Sequence, residues 1–219
     1  MLIEQTSGSP PPTAGLSETQ YIGLVDSLLV ETKGLVLTLA TTVLGSIVVG
    51  WATGNPILYG FALLMVLVGA VRLGFMSIHA RNRPSRNAAA ARKWEVNYVV
   101  GATIFIALLG AWTIAVFWET TDGFSRFLST LTTVSCVFGI WTRSLAINKN
   151  GTNVQLLVGF ATLSAAFVIA GGLYPVLIAT VLAPVLFFIK ISSTKLRSTF
   201  LAELIARREA GLLATRLDT

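Results

Sequence analysis

Between Lys149 and Lys190 the chain runs for forty residues without a charged side chain. A straight α-helix of that length would extend about 60 Å, twice the roughly 30 Å hydrocarbon core of a bilayer. The segment must therefore fold back. GGLYP at 171–175 supplies the turn, because glycine accepts positive φ and proline cannot continue a preceding helix. Two apolar helices follow, at 154–170 and 174–191. Pro184 lies inside the second, removes a backbone hydrogen bond there, and is expected to kink it.

Four more apolar runs precede this pair, at about 35–53, 57–78, 96–118 and 127–142. TGNP at 53–56 breaks the first from the second, and Arg72 alone interrupts the second. The fourth is shorter and rich in Ser and Thr, and it lies between Arg126 and Arg143, whose aliphatic stems lengthen it by snorkelling. These runs are apolar on every face. Barrel strands would alternate polar and apolar residues, so helices are the better way to satisfy backbone groups in lipid. Charged residues make up 12% of the chain, about half the share of an ordinary soluble domain, which points to a lipid-facing exterior. The expected fold is an all-α integral membrane protein, a six-transmembrane-helix bundle over 34–191 with a cytoplasmic C-terminal signalling helix over 192–219. Residues 1–33, with their SGSPPPTAG segment, are expected to form a flexible cytoplasmic tail.

The cations set the orientation. With six spans and a cytoplasmic N-terminus, the inner loops and C-terminal tail carry thirteen Lys and Arg, and the outer loops carry Arg126 alone. That is the positive-inside pattern, and it places both termini in the cytoplasm. It also accounts for the net charge of +6 without nucleic acid, since no basic stripe interleaves with exposed aromatics. RPSRNAAAARKWEVNY, in the first inner loop, reads as a helix from about Ser85, N-capped by that serine and running into the third span.

After Ile191 the composition changes to SSTKLRSTFLAELIARREAGLLATRLDT, with charges of both signs and good helix formers. Leu196, Phe200 and Leu204, and then Leu213 and Leu217, recur at helical spacing. Two readings fit: a helix pairing with a second copy in a parallel homodimer, or an amphipathic helix on the inner leaflet. RLDT carries no cap signal, so the segment reads as a helix continuing toward a following domain.

VDSLLVET before the first span, VGAVRLGFM ending the second, ARKWEVNYVVGA opening the third and the LLATRLDT exit together resemble the membrane-embedded N-terminal regions of alphaproteobacterial cyclic-di-GMP signalling proteins. The resemblance covers about 190 residues, from Val25 onward, and Trp94, Glu95, Tyr98 and LLATRLDT are its more specific parts. It implies six spans followed by a helix entering a PAS-like or GGDEF output domain, often with an EAL domain. In that family the exit helix usually has Phe where Leu217 stands. Neither a GGDEF nor an EAL motif occurs in these residues, so the resemblance implies a sensory region without its diguanylate cyclase or phosphodiesterase, and no enzyme activity in this stretch.

The polar residues of the spans are the candidate relay: Arg72, His79, Trp94, Glu95, Tyr98, Arg143 and Pro184. Arg72, about six residues inside the second span, either faces the bundle to hold an anionic ligand or partner Glu95, or snorkels to the headgroups. His79 is the sole imidazole; it serves as an interfacial hydrogen-bonder or, with Met76 one turn before it, as half of a copper or haem site needing a dimer mate. Trp94 anchors the inner interface. Glu95 pairs locally with Arg92 or Lys93, or across helices with Arg72 or Arg143. Glu119, Asp122 and Arg126 either line a periplasmic mouth or form a solvated cap. Thr132, Thr133, Ser135 and Cys136 give the fourth span a polar face suited to helix packing.

No Ser-His-Asp set can be assembled in one compartment, and no HExxH or phosphate-binding glycine loop occurs. No cofactor is expected. The partners expected are the lipid bilayer, a second copy through the C-terminal helix and a hydrophobic or small-molecule signal. A sensory, signal-transducing membrane module is the leading reading. The alternatives are a small transporter or channel, and a non-sensing membrane anchor or assembly partner.

Overall fold

The computed structural model describes residues 18–30, 32–82, 87–144 and 149–173, with short runs and single residues between 175 and 199. Six helices follow in order: α1 (Glu18–Val30), α2 (Lys33–Thr53), α3 (Pro56–Asn82), α4 (Ala88–Glu119), α5 (Gly123–Ser144) and α6 (Lys149–Ala170). The described residues contain no strand. Among the described residues five helices, α2 to α6, are long and apolar enough to cross a membrane.

Local chemistry fixes the turns. α2 stops at Gly54, which takes φ of 65°, a left-handed value that glycine adopts without a Cβ clash. α3 starts with Pro56 at its first position, and the Asn55 side chain accepts from the Ile57 amide at 2.9 Å. α4 starts at Ala88 under an Asn87 cap whose Oδ1 accepts from the Ala90 amide at 2.9 Å. The cap expected at Ser85 thus falls two residues later, where the amide side chain reaches the first turn. α5 opens under Asp122, which accepts from both the amide and the hydroxyl of Ser125. α6 ends at Gly171 and Gly172, both with positive φ, as the GGLYP turn requires.

The five long helices run alternately up and down. α4 lies at the centre, against α1, α3, α5 and α6. Its Phe105, Ile106, Leu109 and Trp112 are fully buried and meet Val49, Leu58, Met65, Val137 and Ile140 from neighbouring helices. Close approach is bought with small residues: the Cβ position of Gly110 falls on the Thr162 side chain, and that of Gly159 lies 2.9 Å from Val137.

The inside–outside pattern is that of a membrane bundle. Leu37, Leu44, Leu63, Leu67, Val71, Val100, Ile104, Phe127 and Leu157 are exposed around the outside. An apolar belt of this extent far exceeds the patches of monomeric soluble proteins, and it is consistent with contact to a bilayer. α5 turns its polar stripe inward instead. Ser125, Ser129, Thr132, Thr133 and Cys136 are buried, and Thr133 meets Thr113 of α4 hydroxyl to hydroxyl at 2.7 Å. The polar face expected on this span is therefore a packing face, except that Ser135 points outward.

One departure concerns the N-terminal end. Residues 18–30, expected within a flexible tail, form α1, and Tyr21, Val25, Leu28 and Leu29 are buried against Leu35, Met76, Ala91 and Tyr98. Their spacing makes one apolar helix face, and that face outweighs the composition of the preceding proline-rich segment. After the Gly171–Gly172 turn, residues 175–182 are helical, and Ile189 packs with Trp141, Leu156 and Phe160. Because Leu156 lies in the first turns of α6, this contact brings the chain back along α6. Most of the segment from 192 onward, including the expected exit helix, lies outside the described residues.

Candidate functional site at the α1 end of the bundle

Five of the polar residues picked out in the sequence gather with Arg143 at one end of the bundle, where α1 packs. α1 is not a long apolar span, so something other than lipid must hold it. Polar ties do so, three of them from its own side chains. Glu18 Oε1 accepts from the Ala88 amide at 2.9 Å and thereby satisfies a donor at the start of α4. Tyr21 donates its hydroxyl hydrogen to Glu95 Oε2, with both side chains buried. Asp26 Oδ1 lies 3.0 Å from His79 Nε2. The first two ties hold α1 to α4, and the third holds it to α3.

Burial defines the chemistry of this cluster. Glu95 is 2% exposed and His79 is 4% exposed. Burial pushes the Tyr21 phenol above its usual range, and the hydrogen bond and charge of Glu95 push it further, against a smaller opposing effect of Arg92. The phenol therefore stays a proton donor at all ordinary pH. Tyr21 is one partner of Glu95, brought to it by α1, beside the further interactions of that carboxylate. Trp94 packs against the His79 ring at 4.6 Å and the Phe75 ring at 4.7 Å, so it wedges between α3 and α4 as well as lying near the bundle end.

Arg143, from the last turn of α5, donates from Nη2 to the Leu28 carbonyl at 3.3 Å. Its guanidinium also lies on Gly34, whose Cβ position would stand 3.0 Å from Nη1. It thus fastens the α1–α2 corner, and a side chain at position 34 would displace it.

Arg72 lies deeper, seven residues before His79 and hence about 10 Å along α3. It faces into the bundle: the residue is 8% exposed, and its guanidinium sits over the rings of Tyr98 at 5.8 Å and Phe105 at 5.5 Å. Among the described residues Nη1 has no hydrogen-bond partner. Beside it is a cleft of about 250 Å³ between α1, α3 and α4, lined chiefly by Leu29, Val71, Phe75, Tyr98, Gly101 and Ile104.

The remaining candidates lie elsewhere. Glu119, Asp122 and Arg126 are at the opposite end and act as structural ties. Glu119 accepts from Asn55 Nδ2 at 2.8 Å, joining the α2–α3 turn to the end of α4. Asp122 caps α5, and the hydrogen bonds from Ser125 hold its carboxyl below the usual carboxylate range. Arg126 donates to the carbonyls of Thr120 and Phe117, each at 2.8 Å, and covers the Phe117 ring. Pro184 is helical and exposed. Among the described residues no three His, Cys, Asp or Glu side chains are grouped to hold a metal, and His79 is occupied with Asp26.

Sequence reasoning missed Glu18, Tyr21 and Asp26, which had been assigned to the tail. The signal was the i, i+4, i+7, i+8 spacing of Tyr21, Val25, Leu28 and Leu29. It also missed Gln155 of α6, which is fully buried with neither amide atom partnered among the described residues. No protein-family model, curated protein or solved structure matches the chain.

Proposed function

We propose that this chain is the sensory, signal-transducing module of a membrane protein, embedded in a bacterial inner membrane with both termini in the cytoplasm. The observation that carries the reading is the clamp at the α1 end: a helix outside the set of long apolar spans is fastened to α3 through Asp26–His79 and to α4 through Tyr21–Glu95. The two ties respond together only while α3 and α4 keep one relative packing. A stimulus that favours another packing shifts the equilibrium by its differential affinity for the two arrangements. The sixth apolar segment and the exit helix over 192–219 then pass that shift to a cytoplasmic output domain, with a second copy paired through the exit helix. The resemblance of VGAVRLGFM, ARKWEVNYVVGA and LLATRLDT supports a cyclic-di-GMP synthesis or hydrolysis domain as that output.

A fusion tests this reading. A dimer-dependent cyclase domain is joined after Thr219, and one to four residues are inserted at the junction. Activity is expected to oscillate with helical phase and to change its set point on Tyr21→Phe. Activity indifferent to both would leave the chain as an anchor.

A further inference from the structure

Arg72 poses a problem that the clamp does not solve. A guanidinium carries five N–H donors and a permanent charge, and burying it without a counter-charge is costly. Around it are two aromatic faces and, within electrostatic reach, the like charge of Arg143, and Nη1 is both buried and unpartnered among the described residues. Ring faces attract a cation but accept no strong in-plane hydrogen bond. A planar anion would satisfy the fork, and a carboxylate matches it with two parallel bonds.

The cleft beside Arg72 says what would bring that anion. Apart from Arg72 and Asn97 its walls are largely apolar, and Val71, Val100 and Ile104 on its rim are themselves exposed members of the outer belt. It therefore opens sideways toward lipid. Its volume of about 250 Å³ exceeds the roughly 150 Å³ that admits benzene in an engineered cavity, so it holds a small head group and the start of one chain. Two acyl chains on a glycerol would not fit. Depth adds a second discrimination. Arg72 lies about 10 Å inside the level of His79. A phosphodiester would have to enter as a charged group, whereas a carboxylic acid partitions into hydrocarbon as its neutral form and ionises against the guanidinium.

We propose that this cleft binds one long-chain fatty acid, its carboxylate on Arg72 and its chain leaving past Val71, Val100 and Ile104 into the bilayer. The acid would touch α3 at Arg72, α4 at Tyr98 and α1 at Leu29, the three helices that the clamp joins. Its role as a stimulus rests on the sensory reading; its binding does not.

The test uses the full chain in detergent micelles, with radiolabelled palmitate as the probe. Saturable binding of one palmitate per chain is expected, competed by unlabelled palmitate but not by methyl palmitate or phosphatidylglycerol. Arg72→Gln is expected to weaken binding by about tenfold or more, and Arg72→Lys by less. Gly101→Leu keeps the arginine but fills the cleft, since even a Cβ there would lie 3.6 Å from Arg72 Cγ, and it is expected to abolish binding; Gly101→Ala, in ordinary contact, is expected to retain it. Equal competition by methyl palmitate, or unchanged binding in both Arg72→Gln and Gly101→Leu, would overturn the proposal in favour of a non-specific apolar sink. Competition by phosphatidylglycerol would overturn it in favour of a headgroup site. If Arg72→Gln fails to fold, the competition arms on the unmodified chain and the Gly101 pair still decide. Palmitate that binds but leaves fused cyclase activity unchanged refutes its role as the stimulus and spares the site. A phase-dependent fusion that does not bind palmitate refutes the site and spares the relay.

Discussion

Tyr21 and Glu95, 74 residues apart in the chain, share a hydrogen bond with both side chains buried. The apolar face of α1 carries most of its docking, and this bond is one of the polar ties that hold the helix in register. Tyr21→Phe keeps the ring in its apolar setting and deletes only the hydroxyl. The expected cost is about 1–3 kcal/mol, toward the lower end because Glu95 has further interactions. Limited proteolysis at the α1–α2 junction, in detergent, should become faster in the variant.

The same phenol gives a pH signature. Its folded-state pKa is raised, first by burial and then by Glu95, so its contribution is fully present below the usual tyrosine value of about 10. As pH climbs above about 10 the unfolded state loses the proton while the folded state keeps it, and stability falls. Melting temperatures measured between about pH 8 and 11 should decline more steeply for the unmodified chain than for Tyr21→Phe.

Asp26 and His79 should behave as a coupled pair. Asp26→Ala and His79→Ala each remove one partner of the 3.0 Å contact, so the second substitution adds less than the first. The expected coupling is about 0.5–1.5 kcal/mol. Asp26→Ala combined with Asn55→Ala, whose side chain bonds Glu119 at the other end of the bundle, should be additive.

At the opposite end, Asp122 should show an acid signature. Its pKa is depressed by the bonds from Ser125, so its cap contributes above about pH 4 and is lost as pH falls through its lower folded value. Asp122→Ala should lower the melting temperature at neutral pH, Asp122→Asn should lower it less, and the gap between Asp122→Ala and the unmodified chain should close in acid.

What was legible in the sequence follows from where the physics is local. Apolar runs, GGLYP and TGNP declare helices and turns through hydropathy and backbone chemistry alone, and α2 to α6 fall close to the expected ranges. The direction in which Arg72 points was undecidable from sequence, because snorkelling and burial place the same residue at the same depth; packing against Tyr98 and Phe105 decides it. The Tyr21–Glu95 bond was hidden for a different reason. Arg92 and Lys93 are neighbours of Glu95 in sequence, whereas Tyr21 reaches it only once α1 has folded and docked. The proline-rich start of the chain masked the apolar face just beyond it.

Gly110 offers the sharpest test of the α4–α6 contact. The position a Cβ would take there coincides with the Thr162 side chain, so even alanine forces the helices apart or drives Thr162 from its bonds to the carbonyls of Val158 and Gly159. Overpacking of this kind costs about 1–3 kcal/mol. Gly110→Ala should therefore lower the melting temperature in detergent, although alanine is the better helix former by about 1 kcal/mol. Thr162→Ser leaves the Cβ in place and should not rescue it. Thr162→Gly removes the obstacle, and the double variant Gly110→Ala with Thr162→Gly should recover most of the loss. Recovery by Thr162→Ser, or none with Thr162→Gly, would mean that α4 and α6 do not meet at this pair.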